Sequence, residues 1–131
     1  AERIEVVRRR DAYERDPAAF AEAWQDAAAA VRDRITTAQG LLDEVDMPDA
    51  ALEIATRLCL ALGSDGLRGE LSIMKAARAT AALDGRTTVE AQDIRTVAAS
   101  ALRHRLRRDP LDDTGSTARV ERAVREILED G

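Results

Sequence analysis

GSDGLRGELSIMKAARATAALDG, residues 63–85, is the stretch on which the fold turns. Glycines at 63, 66 and 69 make its front half a turn. Behind them Ile73, Ala76, Ala77 and Leu83 recur at helical spacing, and Gly85 stands where the residue after a helix adopts a left-handed conformation. The segment therefore reads as turn, helix (about Leu67 to Asp84) and stop. The same grammar extends outward. Upstream, Pro48 opens a helix whose stripe of Leu52, Ala55, Leu58 and Leu62 is closed by Gly63. Downstream, Thr87 and Glu90 have the spacing of a capping box, with the true start one to three residues further on as the alternative. The helix they open, about Glu90 to His104, buries Ile94, Val97, Ala98, Ala101 and Leu102. Asp109-Pro110 ends that region, Asp112 to Thr117 is a polar loop, and Ser116 or Thr117 caps a last helix carrying Val120, Val124, Ile127 and Leu128.

The first third is different in kind. Residues 2–15 form a charged helix with Ile4, Val7 and Tyr13 as its apolar positions, and it is expected to fray, since so short a charged helix is marginal alone. Asp16-Pro17 stops it and starts another. Phe20, Trp24, Ala28, Val31 and Ile35 then mark one stripe of a long helix reaching the Leu41-Leu42 region, weakened or broken at Gly40. No segment sustains the period-two alternation of a strand. The expectation is an all-α fold, a bundle of four to six helices, divided into a helical segment over 1–46 and a bundle over 47–131.

Composition narrows the chemistry. Tyr13, Phe20 and Trp24 are the only aromatic residues among 131, so the later helices must pack on aliphatic and alanine side chains. The net charge of −5 gives no general reason to bind nucleic acid or an anionic membrane, and no apolar run is long enough to span a bilayer. A single cysteine, Cys59, excludes an internal disulfide and fits a reducing cytoplasm. The opening Ala-Glu-Arg-Ile-Glu reads as a cut inside a longer protein.

Most catalytic motifs are missing. There is no G-x-x-x-x-G-K-[ST] to cradle phosphates, no G-x-S-x-G elbow, and with one histidine no two-histidine zinc helix; no metal site is expected. Cys59 lies inside an apolar stripe, as a packed thiol does, and His104 near a helix end reads as solvated or capping. Arg8, Arg9 and Arg10 read as a solvated face. Two segments carry more. Arg68, in the first turn of a helix after a glycine-bounded loop, is placed to aim a guanidinium at an external anion, the competing reading being a surface pair with Asp65 or Glu70. Arg103, Arg105, Arg107 and Arg108 crowd a helix carboxy-terminus. Without aromatic stacking partners they suit a subunit contact better than nucleic acid, and a solvated face is the ordinary alternative.

Taken together, DGLRGE, AARATAALDGRTTV and HRLRRDPLD…GSTARV resemble the carboxy-terminal helical lid of the AAA+ ATPase subunits of magnesium chelatase, and RIEVVRRRDAYERDPAAFAEAW resembles the stretch after their nucleotide-binding α/β core. The likeness covers nearly the whole chain. DGLRGE is shared more loosely with cobalt chelatases and MoxR-type ATPases, and the last motif narrows the resemblance to the magnesium kind. It implies that Arg68 is the sensor-2 arginine, acting on the ATP of its own or a neighbouring subunit. It also implies a cytoplasmic subunit that binds ATP and Mg and forms a ring of identical ATPase subunits. That ring would stack with a second AAA+-like subunit bearing an integrin-like domain, and drive a large porphyrin-binding subunit that inserts Mg²⁺ into protoporphyrin IX for (bacterio)chlorophyll biosynthesis. Lacking the P-loop, this chain would not hydrolyse ATP alone. The alternative from a different class is a structural docking module of a related chelatase or MoxR-type ATPase, with Arg68 incidental.

Overall fold

The computed structural model describes residues 2–64, 66–104, 106 and 115–129. Among them the fold is all-α: α1 (Glu2–Arg15), α2 (Pro17–Ala23), α3 (Gln25–Leu41), a 3-10 turn (Leu42–Glu44), α4 (Asp49–Ala61), α5 (Arg68–Leu83), α6 (Ala91–Leu102) and α7 (Ser116–Glu129). The long helix expected from Pro17 is interrupted at one residue, Trp24 (φ −103°, ψ 0°), which adds an element to the anticipated set. Two compact units result, Ala1–Thr36 and Thr37–Gly131, with the boundary inside α3.

In the first unit no residue of α1 or α2 is buried. Pairs four residues apart line α1, Arg9 with Glu5 (2.8 Å), Arg10 with Glu14 (2.6 Å) and Arg15 with Asp11 (3.0 Å). Exposed pairs of this kind stabilise a helix by only a few tenths of a kcal/mol each, about 0.3–0.5. Asp16 caps α2 through its Oδ1, which accepts from the amides of Ala18 and Ala19, with Pro17 at the first helical position as the dipeptide requires. Tyr13, Phe20 and Trp24 form a chain of ring contacts at 5.8 and 5.9 Å, and Arg9 lies 4.4 Å over the Trp24 ring.

The second unit holds the core. Along α5 Ile73, Ala77 and Ala81, and along α6 Ile94, Ala98 and Leu102, are all fully covered, a four-residue spacing on each that interlocks the two helices. Leu58 and Cys59 of α4 and Val120 of α7 complete the centre, with Ala38 and Val45 joining the same cluster from before α4. Two helices end in the same glycine-dependent way. After α4, Gly63 (φ +64°) donates to Leu60 O and Ser64 donates to Cys59 O; after α5, Gly85 (φ +73°) donates to Ala82 O and Arg86 to Ala81 O. Both are Schellman motifs, which need a residue at positive φ.

Gly85 sends the chain into the segment before α6, and there Arg86 meets the one buried charge of the described core. Asp93 is 2% exposed, and both its carboxylate oxygens are held by Arg86, at 2.6 and 2.8 Å. The same carboxylate accepts from the Glu90 amide at 2.8 Å, closing the amino-terminus of α6. The cap therefore lies at Glu90 with Asp93, three residues beyond the Thr87–Glu90 spacing. Thr87 and Val89 instead engage Asp46: Asp46 N donates to Thr87 O (2.9 Å) and Val89 N to Asp46 O (3.0 Å), an isolated bridge that fastens the segment before α4 to the one before α6.

Arg86 holds the Asp93 carboxyl below the usual carboxylate range, its hydrogen bonds outweighing the opposing effect of burial, with the Glu90 amide adding to the shift. A depressed carboxyl contributes stability that is fully present above the unfolded-state value, about 4, and is lost as the pH falls through the folded value. Asp93→Asn should therefore lower the midpoint of thermal unfolding at pH 7 by roughly 5 °C, with the gap to the parent protein closing below about pH 4. A gap that is absent at pH 7, or that widens as the pH falls below about 4, would contradict this account of the pair.

Candidate functional site

The turn between α4 and α5 is built from two left-handed glycines, Gly63 and Gly66, both at φ +64°. It delivers the chain to the first turn of α5, where a third glycine does something else. Gly69 is buried in ordinary helical conformation, and a Cβ added there would lie 2.6 Å from Ser64 Oγ, 2.9 Å from Cys59 Sγ and 3.4 Å from Leu102 Cδ2. The start of α5 is thus pressed against the ends of α4 and α6 closely enough to admit only a hydrogen atom at position 69. Ser64 in turn is fixed by the hydrogen bond from its amide to Cys59 O.

Burial of Gly69 decides where Arg68 points. On α5 the inner face runs Gly69, Ile73, Ala77 and Ala81, so Arg68, the first helical residue, is turned to solvent. Leu67 carries no side-chain cap to the helix start, and it is 74% exposed, an unusual state for a leucine beside a buried glycine. The Arg68 carbonyl accepts from Ser72 Oγ at 2.7 Å. Among the described residues its guanidinium makes no ion pair, and Glu70, one of the two partners the sequence offered, has turned inward beside Cys59. Asp65, the other, lies outside the described residues. Arg68, Leu71, Ser72 and Lys75 line an open hollow of about 340 Å³.

Cys59 is 1% exposed, and burial first, then the neighbouring Glu70 carboxylate, push its thiol up to about 12. It stays a neutral packed thiol at physiological pH, in agreement with its place in the apolar stripe. His104 is exposed and accepts from Arg103 Nε at 3.0 Å. Of the proposed contact arginines Arg103 is exposed at the end of α6, whereas Arg105, Arg107 and Arg108 lie outside the described residues. No group of three His, Cys, Asp or Glu among the described residues could hold a metal ion, and no described helix is long and apolar enough to cross a membrane.

A protein-family model described as an AAA lid domain matches residues 52–127, which run from α4 through most of α7 and include the turn and Arg68. The chain belongs to the AAA lid domain family. Relatives of this lid chain are named as chelatase subunits. It is 53% identical over 126 residues to the magnesium-chelatase 38 kDa subunit of Rhodobacter capsulatus and 55% identical over 123 residues to that of Acidiphilium rubrum, with 96% and 94% of the chain covered. It is 35% identical over 126 residues to the magnesium-chelatase subunit ChlI of a Synechocystis strain, with 96% of the chain covered. The lid chain spans only about a third of these relatives, covering 36%, 36% and 35% of their lengths.

The sequence singled out Arg68 but missed the packing role of Gly69, because nothing in G-L-R-G distinguishes a turn glycine from one crowded by distant side chains. The test is a substitution on which two effects disagree. Helix propensity alone makes Gly69→Ala stabilising by about 1 kcal/mol. The crowded site makes it destabilising by about 1–3 kcal/mol, and Gly69→Ala combined with Ser64→Gly should recover part of the loss. Urea unfolding of the three proteins decides between them, and a Gly69→Ala protein more stable than the parent would overturn the close-packing account.

Proposed function

We propose that this chain is the carboxy-terminal helical lid of the ATPase subunit of a magnesium chelatase, and that Arg68 is its nucleotide-sensing residue. The observation that carries the reading is the pairing of a locked Gly69 with an exposed Arg68, without an ion pair among the described residues, at the start of α5. Identity of 51–55% to magnesium-chelatase 38 kDa subunits over nearly the whole chain supports the assignment of the lid to that enzyme.

A guanidinium stays charged at every physiological pH and offers a planar fork of donors that matches phosphoryl oxygens. Aimed from a rigid helix start, it would meet the terminal phosphate of an ATP held by the nucleotide-binding part of the same or a neighbouring subunit. The interaction strengthens as charge spreads over the transferring group and is lost once the phosphate departs. Because α5 is packed rigidly on α4 and α6, loss of that contact would move the lid as a body. Arg68 stands at an uncapped helix start and would reach the polyphosphate from outside, since the chain has no G-x-x-x-x-G-K-[ST] to form the phosphate cage. ATP supplies the free energy, and the chain's contribution is to register its hydrolysis.

In this reading the intact cytoplasmic subunit binds ATP and Mg, assembles into a ring of identical ATPase subunits, stacks with a second AAA+-like subunit bearing an integrin-like domain, and drives a large porphyrin-binding subunit. The outcome is insertion of Mg²⁺ into protoporphyrin IX for (bacterio)chlorophyll biosynthesis. Arg103, with Arg105, Arg107 and Arg108, would contribute a subunit contact. The test is Arg68→Ala in the full-length subunit reconstituted with its two partners. Nucleotide binding should persist while ATP hydrolysis falls roughly 10²-fold and metal insertion collapses with it. Unchanged hydrolysis and insertion would overturn the assignment.

A further inference from the structure

We infer that Lys75 is a second phosphate-contacting residue of the lid, binding the non-transferring phosphates of the nucleotide whose terminal phosphate Arg68 senses; this rests on the reading of Arg68 above. Lys75 is the only lysine in a chain whose other 19 Lys and Arg residues are arginines. It lies seven residues after Arg68 on α5, two helical turns, which returns it to the same face roughly 10 Å further along the axis. Side chains on a helix lean toward its amino-terminus, so the flexible lysine stem extends back over the turn that separates it from Arg68. The two residues line one hollow with Leu71 and Ser72 between them.

The other groups in that hollow leave the two cations as its chemistry. The Ser72 hydroxyl is spent on the Arg68 carbonyl at 2.7 Å. Leu71, 47% exposed, gives the hollow one apolar side. No acidic residue among the described ones lines the hollow, and the Glu70 carboxylate, one residue from Leu71, is directed to Cys59 on the opposite face. Neither Arg68 nor Lys75 makes an ion pair among the described residues, whereas Arg9, Arg10, Arg15 and Arg86 do. Two cations in line on one helix face, neither ion-paired among the described residues, fit an extended polyanion better than a single small anion. A nucleoside polyphosphate has that shape and charge.

The two cations should differ in what they do. An ammonium is a compact, hydrated point charge without the guanidinium fork, so at the phosphates that do not change during the reaction it stabilises ground and transition states alike. Such uniform binding lowers KM and leaves kcat in place. The experiment uses the full-length subunit with its partners, comparing Lys75→Gln, Lys75→Arg and Arg68→Ala. Lys75→Gln should raise KM for ATP roughly fivefold and weaken ADP competition by a similar factor, with kcat within about twofold of the parent, and Lys75→Arg should restore both. Both effects should shrink as salt rises. If Arg68→Ala collapses turnover while Lys75→Gln leaves KM and ADP affinity unchanged, the Lys75 inference fails and the sensor reading stands. If Lys75→Gln lowers kcat without touching KM, or Lys75→Arg fails to rescue, the residue has a structural role and the inference also fails. If Arg68→Ala leaves turnover intact, the sensor reading itself fails, and this inference with it.

Discussion

The position of Arg68 depends on what its neighbour lacks. Gly69 lets the first turn of α5 close onto the side chains of Ser64, Cys59 and Leu102, so that the start of α5 meets the ends of α4 and α6 with no room for a side chain at position 69. The second unit contains no aromatic residue, and its helices must gain their contact from close approach instead of from large anchors. Alanines at 77, 81 and 98 and glycine at 69 let backbones draw near, while Ile73, Ile94 and Leu102 fill the remaining space. A core of this kind tolerates little volume change, and that stiffness makes a helix start a reliable place from which to aim a charged side chain.

Electrostatics complete what packing begins. Arg86 and Asp93 tie the end of α5 to the beginning of α6, and the bridge from Asp46 to Thr87 and Val89 ties both to the approach of α4. Each of these contacts lies at the far end of α5 from Arg68. The helix is therefore fixed at both ends by different means, one steric and one ionic. A change of nucleotide state felt at Arg68 would be carried along a rigid body to the contacts at its other end, instead of being lost in local bending.

Much of this was legible in the sequence. The glycines at 63 and 85 announced the helix stops because a residue at positive φ has few substitutes, and Asp16-Pro17 announced a restart because proline pushes its predecessor out of the helical region and suits the first helical position. Arg68 was found by its place after a glycine-bounded turn and by resemblance. What escaped detection was long-range. The cap of α6 lies at Glu90, at the far limit of the alternative start the sequence left open, while the Thr87 carbonyl accepts from Asp46 N, some forty residues earlier, a pairing that no local spacing encodes. The break at Trp24 came inside an otherwise continuous stripe, with no glycine or proline to mark it. Lys75 stood out in the sequence only as the lone lysine, outside any phosphate-cradling motif, because the residues sharing its helix face are not legible there.

Everything above turns on Arg68 facing a nucleotide. The most direct measurement is a structure of the full-length subunit assembled with a slowly hydrolysed ATP analogue. The account predicts the Arg68 guanidinium within hydrogen-bonding distance, about 3 Å, of a terminal phosphate oxygen, whether in the same subunit or across a ring interface. An Arg68 side chain left in solvent, or paired to an acidic residue far from any phosphate, would contradict it.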